Sequence, residues 1–155
     1  MIGGGAFFRS SQYEGQLNDR QILAEFSGDI GYFIIDKFTI GLKPSYDRTE
    51  TKGSSNVIVS SYGLGPFVRY YFLPSDKYVD IFSELSYQYG ITKTNQSSSS
   101  VNSNKISGIV GCSAFFNTSV GVEFTLGYSS YMYANNSAKV KSIIAGIGFQ
   151  FYLEK

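Results

Sequence analysis

At 155 residues the chain is one domain in size, long enough to bury a real core. It holds 13 Lys+Arg against 12 Asp+Glu, no His, one Cys, no Trp, 17 Gly, 13 Tyr and 13 Phe, and only 16% of it is charged, where about 25% is usual. That balance excludes a disordered chain, a disulfide scaffold, a nucleic-acid binder that relies on basic excess, and any histidine-based catalysis or metal site.

No run of about 20 apolar residues is present, so no spanning helix is predicted. No basic segment leads into an apolar one at the start either. Met1 passes straight into Ile2-Gly3-Gly4-Gly5-Ala6-Phe7-Phe8, which reads as a strand. A targeting segment is expected to have been removed or to be missing. Helix signals are almost absent along the whole chain. Period-2 alternation instead gives eight strands, at about 2–13, 21–34, 38–50, 58–72, 78–92, 105–116, 119–133 and 141–153. The breaks at 35–37, 73–77 and 117–118 are short. Those near 14–20, 51–57, 93–104 and 134–140 are longer and more polar. Short and long breaks alternate, as in an up-and-down meander with tight turns at one end and loops at the other. The 93–104 stretch is low in complexity and is expected to be a mobile loop.

Each strand carries two unlike faces. Strand 21–34 sets Ile22, Ala24, Phe26, Gly28, Ile30 and Tyr32 against Glu25, Ser27, Asp29 and Gly31. Strand 38–50 sets Phe38, Ile40, Leu42, Pro44 and Tyr46 against Thr39, Gly41, Lys43, Ser45 and Asp47. The same division runs through the later strands. The mid-strand charges Arg9, Glu25, Asp29, Lys43, Arg69, Glu84 and Glu123 all fall on the small-residue face. Turn arithmetic agrees. A hairpin closed at 35–37 sets Asp29 opposite Lys43. One closed at 73–77 sets Phe67 opposite Glu84, with Arg69 diagonal to it. One closed at 117–118 sets Glu123 opposite Ser113.

Alternating strands of this kind build either of two barrels. A soluble lipocalin-like ligand binder turns its apolar face inward, and a membrane barrel turns it out to lipid. Glycine and charge choose between them. A Lys or Arg against mid-bilayer lipid costs about 2–4 kcal/mol, which accounts for the lack of charge on the apolar face. A water-facing surface this rich in Gly and Ser and this poor in Lys and Glu would be badly solvated. The reading is therefore an all-β, eight-stranded antiparallel up-and-down transmembrane β-barrel occupying 1–155 as a single domain. Its strands exceed the 9–11 residues a tilted crossing needs. Aromatics of the apolar face gather at its two rims. Tyr32, Phe38, Tyr70, Phe72 and Phe151 lie toward the short turns, and Tyr46, Tyr62, Tyr87, Tyr89 and Tyr128 toward the other end, as interfacial girdles would.

The segments Gly31-Tyr32-Phe33-Ile34-Ile35-Asp36-Lys37-Phe38-Thr39-Ile40-Gly41-Leu42, Gly65-Pro66-Phe67-Val68-Arg69-Tyr70-Tyr71-Phe72 and Gly146-Ile147-Gly148-Phe149-Gln150-Phe151 resemble the strand–turn–strand signatures of the small outer-membrane β-barrel family. This is the family of OmpX and the OmpA barrel domain, often labelled porin family. The resemblance spans nearly the whole chain. It implies a Gram-negative outer membrane, periplasmic short turns and extracellular long loops. No peptidoglycan-binding domain follows the barrel, so an OmpA-type anchoring role is not expected.

Chemistry is sparse. Without His, no Ser-His-Asp or Cys-His set can form, and no enzyme, cofactor or metal site is expected. Cys112 lacks a partner cysteine and takes the outward face between Val110 and Ala114 as a small apolar residue. The inward charges are read as a paired, side-chain-filled interior, because eight strands leave a lumen just wide enough for side chains. A narrow porin-like channel is the alternative. The expected role is structural or interactive. Outer-membrane lipid surrounds a likewise expected monomer, and loops 51–57, 93–104 and 134–140 meet extracellular proteins or surface ligands.

Overall fold

Strand formation here needs only the alternation, because each ladder satisfies the backbone while the two faces are sorted by polarity. A computed structural model describes residues 1–12, 20–52, 57–73, 78–95, 97–117, 119–133 and 136–152. Within these, the side chains of 6–12, 20–23, 52, 97–99, 133 and 136–140 lie outside the described part. Eight strands follow in chain order: β1 (Ile2–Gln12), β2 (Arg20–Ile35), β3 (Phe38–Lys52), β4 (Val57–Tyr71), β5 (Val79–Thr94), β6 (Ser97–Phe115), β7 (Val120–Tyr133) and β8 (Asn136–Phe151). All pair antiparallel with their sequence neighbours, and β1 closes on β8 to make a barrel.

Register around β2–β3 follows the turn arithmetic. Ser27 pairs Ser45 and Ile30 pairs Leu42, which sets Asp29 beside Lys43. Glu123 pairs Ser113 across β6–β7. The β4–β5 hairpin differs from expectation: Arg69, not Phe67, lies directly opposite Glu84, and Phe67 faces Ser86. The hairpin closes on Tyr71↔Phe82, so its turn is centred later than 73–77 implied. The slip is two residues. Side-chain parity survives it, and the charges stay on one face.

In the ranges 51–57, 93–104 and 134–140, where loops are expected, nearly all the described residues are strand. β3 runs to Lys52, β4 starts at Val57 and β8 at Asn136; 53–56 and 134–135 lie outside the described residues. The largest correction is 93–104. Ser97–Asn104 opens β6 and pairs with β5, as Lys93 with Ser100 and Tyr89 with Asn104. A hairpin ladder is made of backbone hydrogen bonds, and a Ser/Asn-rich run needs no buried face to form one. At the tip, the Asn95 side chain accepts from the Ile58 N–H (3.0 Å) and the Asn95 N–H donates to Ile58 O (3.0 Å). The short turns are tied by side chains too. Asn117 Oδ1 accepts from the N–H groups of Ser119 (2.9 Å) and Val120 (2.7 Å), and Asp80 Oδ1 accepts from Leu73 N–H (3.1 Å).

Burial alternates strictly where the wall is tightest. Inward residues Asp80, Phe82, Glu84, Ser86, Gln88, Gly90 and Thr92 of β5 are buried, while Ile81, Leu85, Tyr87 and Tyr89 between them are exposed. The outside is a continuous apolar face, and the core is the polar lumen.

Candidate functional site: a charged lumen sealed by aromatics

Arg69 sits near the short-turn end of β4, flanked on its face by Phe67 and Tyr71, and is 2% exposed. Its guanidinium reaches four walls of the barrel. Nε and Nη2 donate to Glu84 Oε2 (2.9 and 2.6 Å) on β5. Nη2 also donates to Asp29 Oδ2 (3.2 Å) on β2. Nη1 donates to Glu123 Oε1 (2.8 Å) on β7 and to Gln150 Oε1 (3.1 Å) on β8. Lys43 on β3 completes the layer, with Nζ 2.6 Å from Asp29 and 2.7 Å from Glu84. Ser113 Oγ donates to Glu123 (3.0 Å). Two cations thus hold three carboxylates, each buried charge paired, as a low-dielectric interior demands. Only a rigid fork with five donors can bridge this many strands at once, which is why arginine rather than lysine stands at the centre.

Phenylalanine rings brace this layer. The Arg69 guanidinium lies 4.2 Å from the Phe82 ring centre, and Lys43 Nζ 5.6 Å from that of Phe67. Glycine makes the room. A Cβ on Gly41 would collide with the Phe67 ring and Ile30 O, and one on Gly111 with the Phe82 ring.

A second charged layer lies further from the short turns. Lys105 Nζ is 2.7 Å from Glu25 Oε1 and 4.9 Å from the Tyr131 ring centre, and Tyr131 O–H donates to Asp47 Oδ2 (3.3 Å). On the other side, toward the short turns, aromatic side chains fill the lumen. Tyr71 stacks with Phe33 (centroids 5.7 Å apart) and Phe82 (5.9 Å). Tyr152 contacts Phe33 (5.7 Å) and Phe115 (5.3 Å), and its O–H donates to the Tyr71 hydroxyl (2.9 Å).

Of the charges singled out in sequence, Asp29, Lys43, Arg69, Glu84 and Glu123 meet in one cluster. Glu25 lies apart from them with Lys105. Arg9 belongs to β1 opposite Leu23, but its side chain is outside the described residues. Sequence reasoning missed Lys105 as a lumen charge and missed the aromatic end. Parity holds the signal for both, since Phe82 alternates with Asp80 and Glu84, and Tyr71 with Arg69. Outside, Tyr32, Tyr62, Tyr70, Phe72, Tyr87, Tyr89, Tyr128 and Phe151 are exposed, while Phe38 and Tyr46 are half-buried. Tyr46 leans on Tyr62 (5.1 Å) and Tyr70 meets Phe72 edge-on (5.2 Å).

No protein-family model and no curated protein sequence matches the chain. Solved structures do. Neisserial surface protein A is similar over 97% of this chain and 95% of its own, at 15% identity and a TM-score of 0.62. The chain has the fold of a small outer-membrane β-barrel. OprG from Pseudomonas aeruginosa is similar as well, with 18% identity, 97% and 93% coverage and a TM-score of 0.53. So is the outer-membrane enzyme PagL, with 13% identity, 99% and 100% coverage and a TM-score of 0.51. One of these proteins is an enzyme, so the fold alone does not decide activity.

Proposed function

We propose that this chain is an integral protein of the bacterial outer membrane. In this reading its interior is a closed structural network, and its role is exercised at the hairpin ends opposite the short turns. The observation that carries the reading is the inversion of polarity. Arg69, Lys43, Asp29, Glu84 and Glu123 are within the barrel, while Leu42, Leu64, Leu85, Val110, Leu126 and Ile147 are exposed outside it. Only a lipid surround makes that arrangement favourable. The rings at either end of the apolar face suit the two membrane interfaces. The Arg69 layer and the aromatic end obstruct the lumen, which favours a structural or surface-interaction role over a channel. With no histidine in the chain, a His-assisted serine of the hydrolase kind has no residue to build on. The β5–β6 hairpin, with its Ser/Asn-rich tip, is the segment that would meet extracellular proteins or surface ligands.

Reconstitution tests this. The purified chain should require detergent or lipid to stay monomeric, should run faster on gels unheated than boiled, and should give no stepwise conductance in planar bilayers. On intact cells, Asn95→Cys in a Cys112→Ala background should react with a membrane-impermeant maleimide. Monomeric solubility in plain buffer would overturn the membrane reading. Conductance abolished or altered by Arg69→Met would establish the channel instead.

A further inference from the structure

The wall sorts charge by sign as well as by polarity. Among the described residues, every carboxylate except Glu50 and the turn residue Asp36 points into the lumen. On the outward face of the strands the charges are Arg48, Lys93 and Lys141, with Glu50 as the one acid among the described residues. The three cations stand at one height. Each lies two residues beyond the aromatic belt, toward the hairpin ends. Arg48 lies beyond Tyr46, Lys93 beyond Ile91 (the partner of Tyr62), and Lys141 beyond Ile143 (the partner of Tyr128). Two residues of strand span about 6.6 Å, which sets the cations just past the interfacial rings. The short-turn end has no such cation on the outward face of its described strand residues.

The ladders bring two of these cations into one row. Arg48 pairs Ser60, Ser60 pairs Lys93, and Lys93 pairs Ser100. Arg48 and Lys93 are thus two strand spacings apart, about 10 Å. Their long side chains can close that gap over one anion, with the Ser60 hydroxyl between them. Both are exposed. Lys93 has no carboxylate partner among the described residues. Arg48 donates Nε and Nη2 to Glu50 Oε1 (2.9 and 2.5 Å), an exposed pair of the kind that holds weakly. Below the row Tyr46 leans on Tyr62, and below them the exposed Leu42 and Leu64 continue the apolar face. Two cationic donors flanking a hydroxyl, above an apolar wall, suit a phosphate carried on acyl chains. Resting on the membrane reading above, we propose that Arg48, Ser60 and Lys93 form a docking surface for an anionic lipid with a phosphate monoester head. The lipid lies in the leaflet at the hairpin ends, its chains against Leu42 and Leu64, and Glu50 weakens the site by competing for Arg48.

The test uses the protein in phosphatidylcholine vesicles with nitroxide-labelled phosphatidic acid, beside phosphatidylcholine and a fatty acid carrying the same label. Phosphatidic acid should be motionally restricted with an affinity at least roughly fivefold above that of phosphatidylcholine, the effect of one lysine or arginine at an anionic head. It should also exceed the fatty acid, whose carboxylate has the charge but not the third oxygen. Arg48→Gln with Lys93→Gln should bring phosphatidic acid down to the phosphatidylcholine level, and Glu50→Gln should raise it. Lys141→Gln removes a cation of the same height from another wall and should leave the preference in place. Equal restriction of phosphatidic acid and phosphatidylcholine, or a preference unchanged in the double variant, overturns the docking surface. So does a loss in Lys141→Gln equal to that in the double variant, since any ring of charge would then serve. A chain that inserts and shifts on heating yet prefers no lipid overturns the docking surface alone. One that never inserts overturns the membrane reading with it.

Discussion

The wall made by β4, β5 and β6 and the wall made by β1 and β8 are built from the same alternating pattern, yet they are closed to different degrees. On the first, β5 and β6 pair from Val79↔Ala114 to Thr94↔Ser97, and the inward residues of β5 from Asp80 to Thr92 are all buried. On the second, pairing stops at Ala6↔Ile147, and the inward-facing Ile144, Gly146 and Gly148 remain half-buried. Large side chains account for the contrast. Phe67, Tyr71, Phe82 and Arg69 project from β4 and β5 and fill their side of the lumen. β1 and β8 supply Gly3, Gly5, Gly146 and Gly148, which fill nothing, and reach the Arg69 layer through Gln150 at their paired end. A polar barrel is thus held from one side by an arginine and a set of rings, while its closing strands are held mainly by backbone.

Hydrogen exchange should show the largest difference between the two walls. Amides of β5 and of β6 from Lys105 onward should be protected to the limit of global unfolding. Those on the free edges, within 7–12 and 136–146, should exchange faster by about three orders of magnitude or more. Equal protection would mean that the seam is closed in solution. Next in size is Arg69→Met. It leaves Asp29, Glu84 and Glu123 with Lys43 as the one remaining cation of that layer, and should cost about 3–5 kcal/mol in urea unfolding followed by gel mobility. A cost below about 1 kcal/mol would show that the tight wall does not depend on its arginine. The smallest effect compares two glycines. Gly111→Ala drives a Cβ into the Phe82 ring and should lose about 1–3 kcal/mol. Gly146→Ala meets only a hydroxyl and should change stability by less than about 0.5 kcal/mol. Similar losses at both would erase the distinction between the walls.

How much of this was legible in sequence depended on which physical signal carried it. Parity is strong wherever a charge would otherwise meet lipid, so the inward placement of Asp29, Lys43, Arg69, Glu84 and Glu123 could be read directly. Aromatics give no such signal, because Tyr and Phe are at home on either face. Tyr71, Phe82 and Tyr152 were therefore not recognised as lumen residues, although their strand neighbours place them there. The partnership of Arg69 with Glu84 was misjudged by two residues, because turn length is weakly encoded in Leu73-Pro74-Ser75-Asp76-Lys77. Ser97–Asn104 could not be recognised as strand, since its ladder is made of backbone and its side chains carry no pattern. The seam was invisible for a related reason. Periodicity tells which face a residue takes, and is silent on whether two edges actually meet.

The meander order bears on how such a wall comes to be assembled. Every pairing but one joins strands adjacent in sequence, so each can zip from its own turn with little chain entropy to overcome. The exception brings residue 2 to residue 151. That single non-local event should be the slow step of folding, because the rest of the topology is of low contact order. It would begin at the short-turn end, where Ile2 meets Phe151, and an intermediate with every hairpin formed but the cylinder still unclosed would precede it.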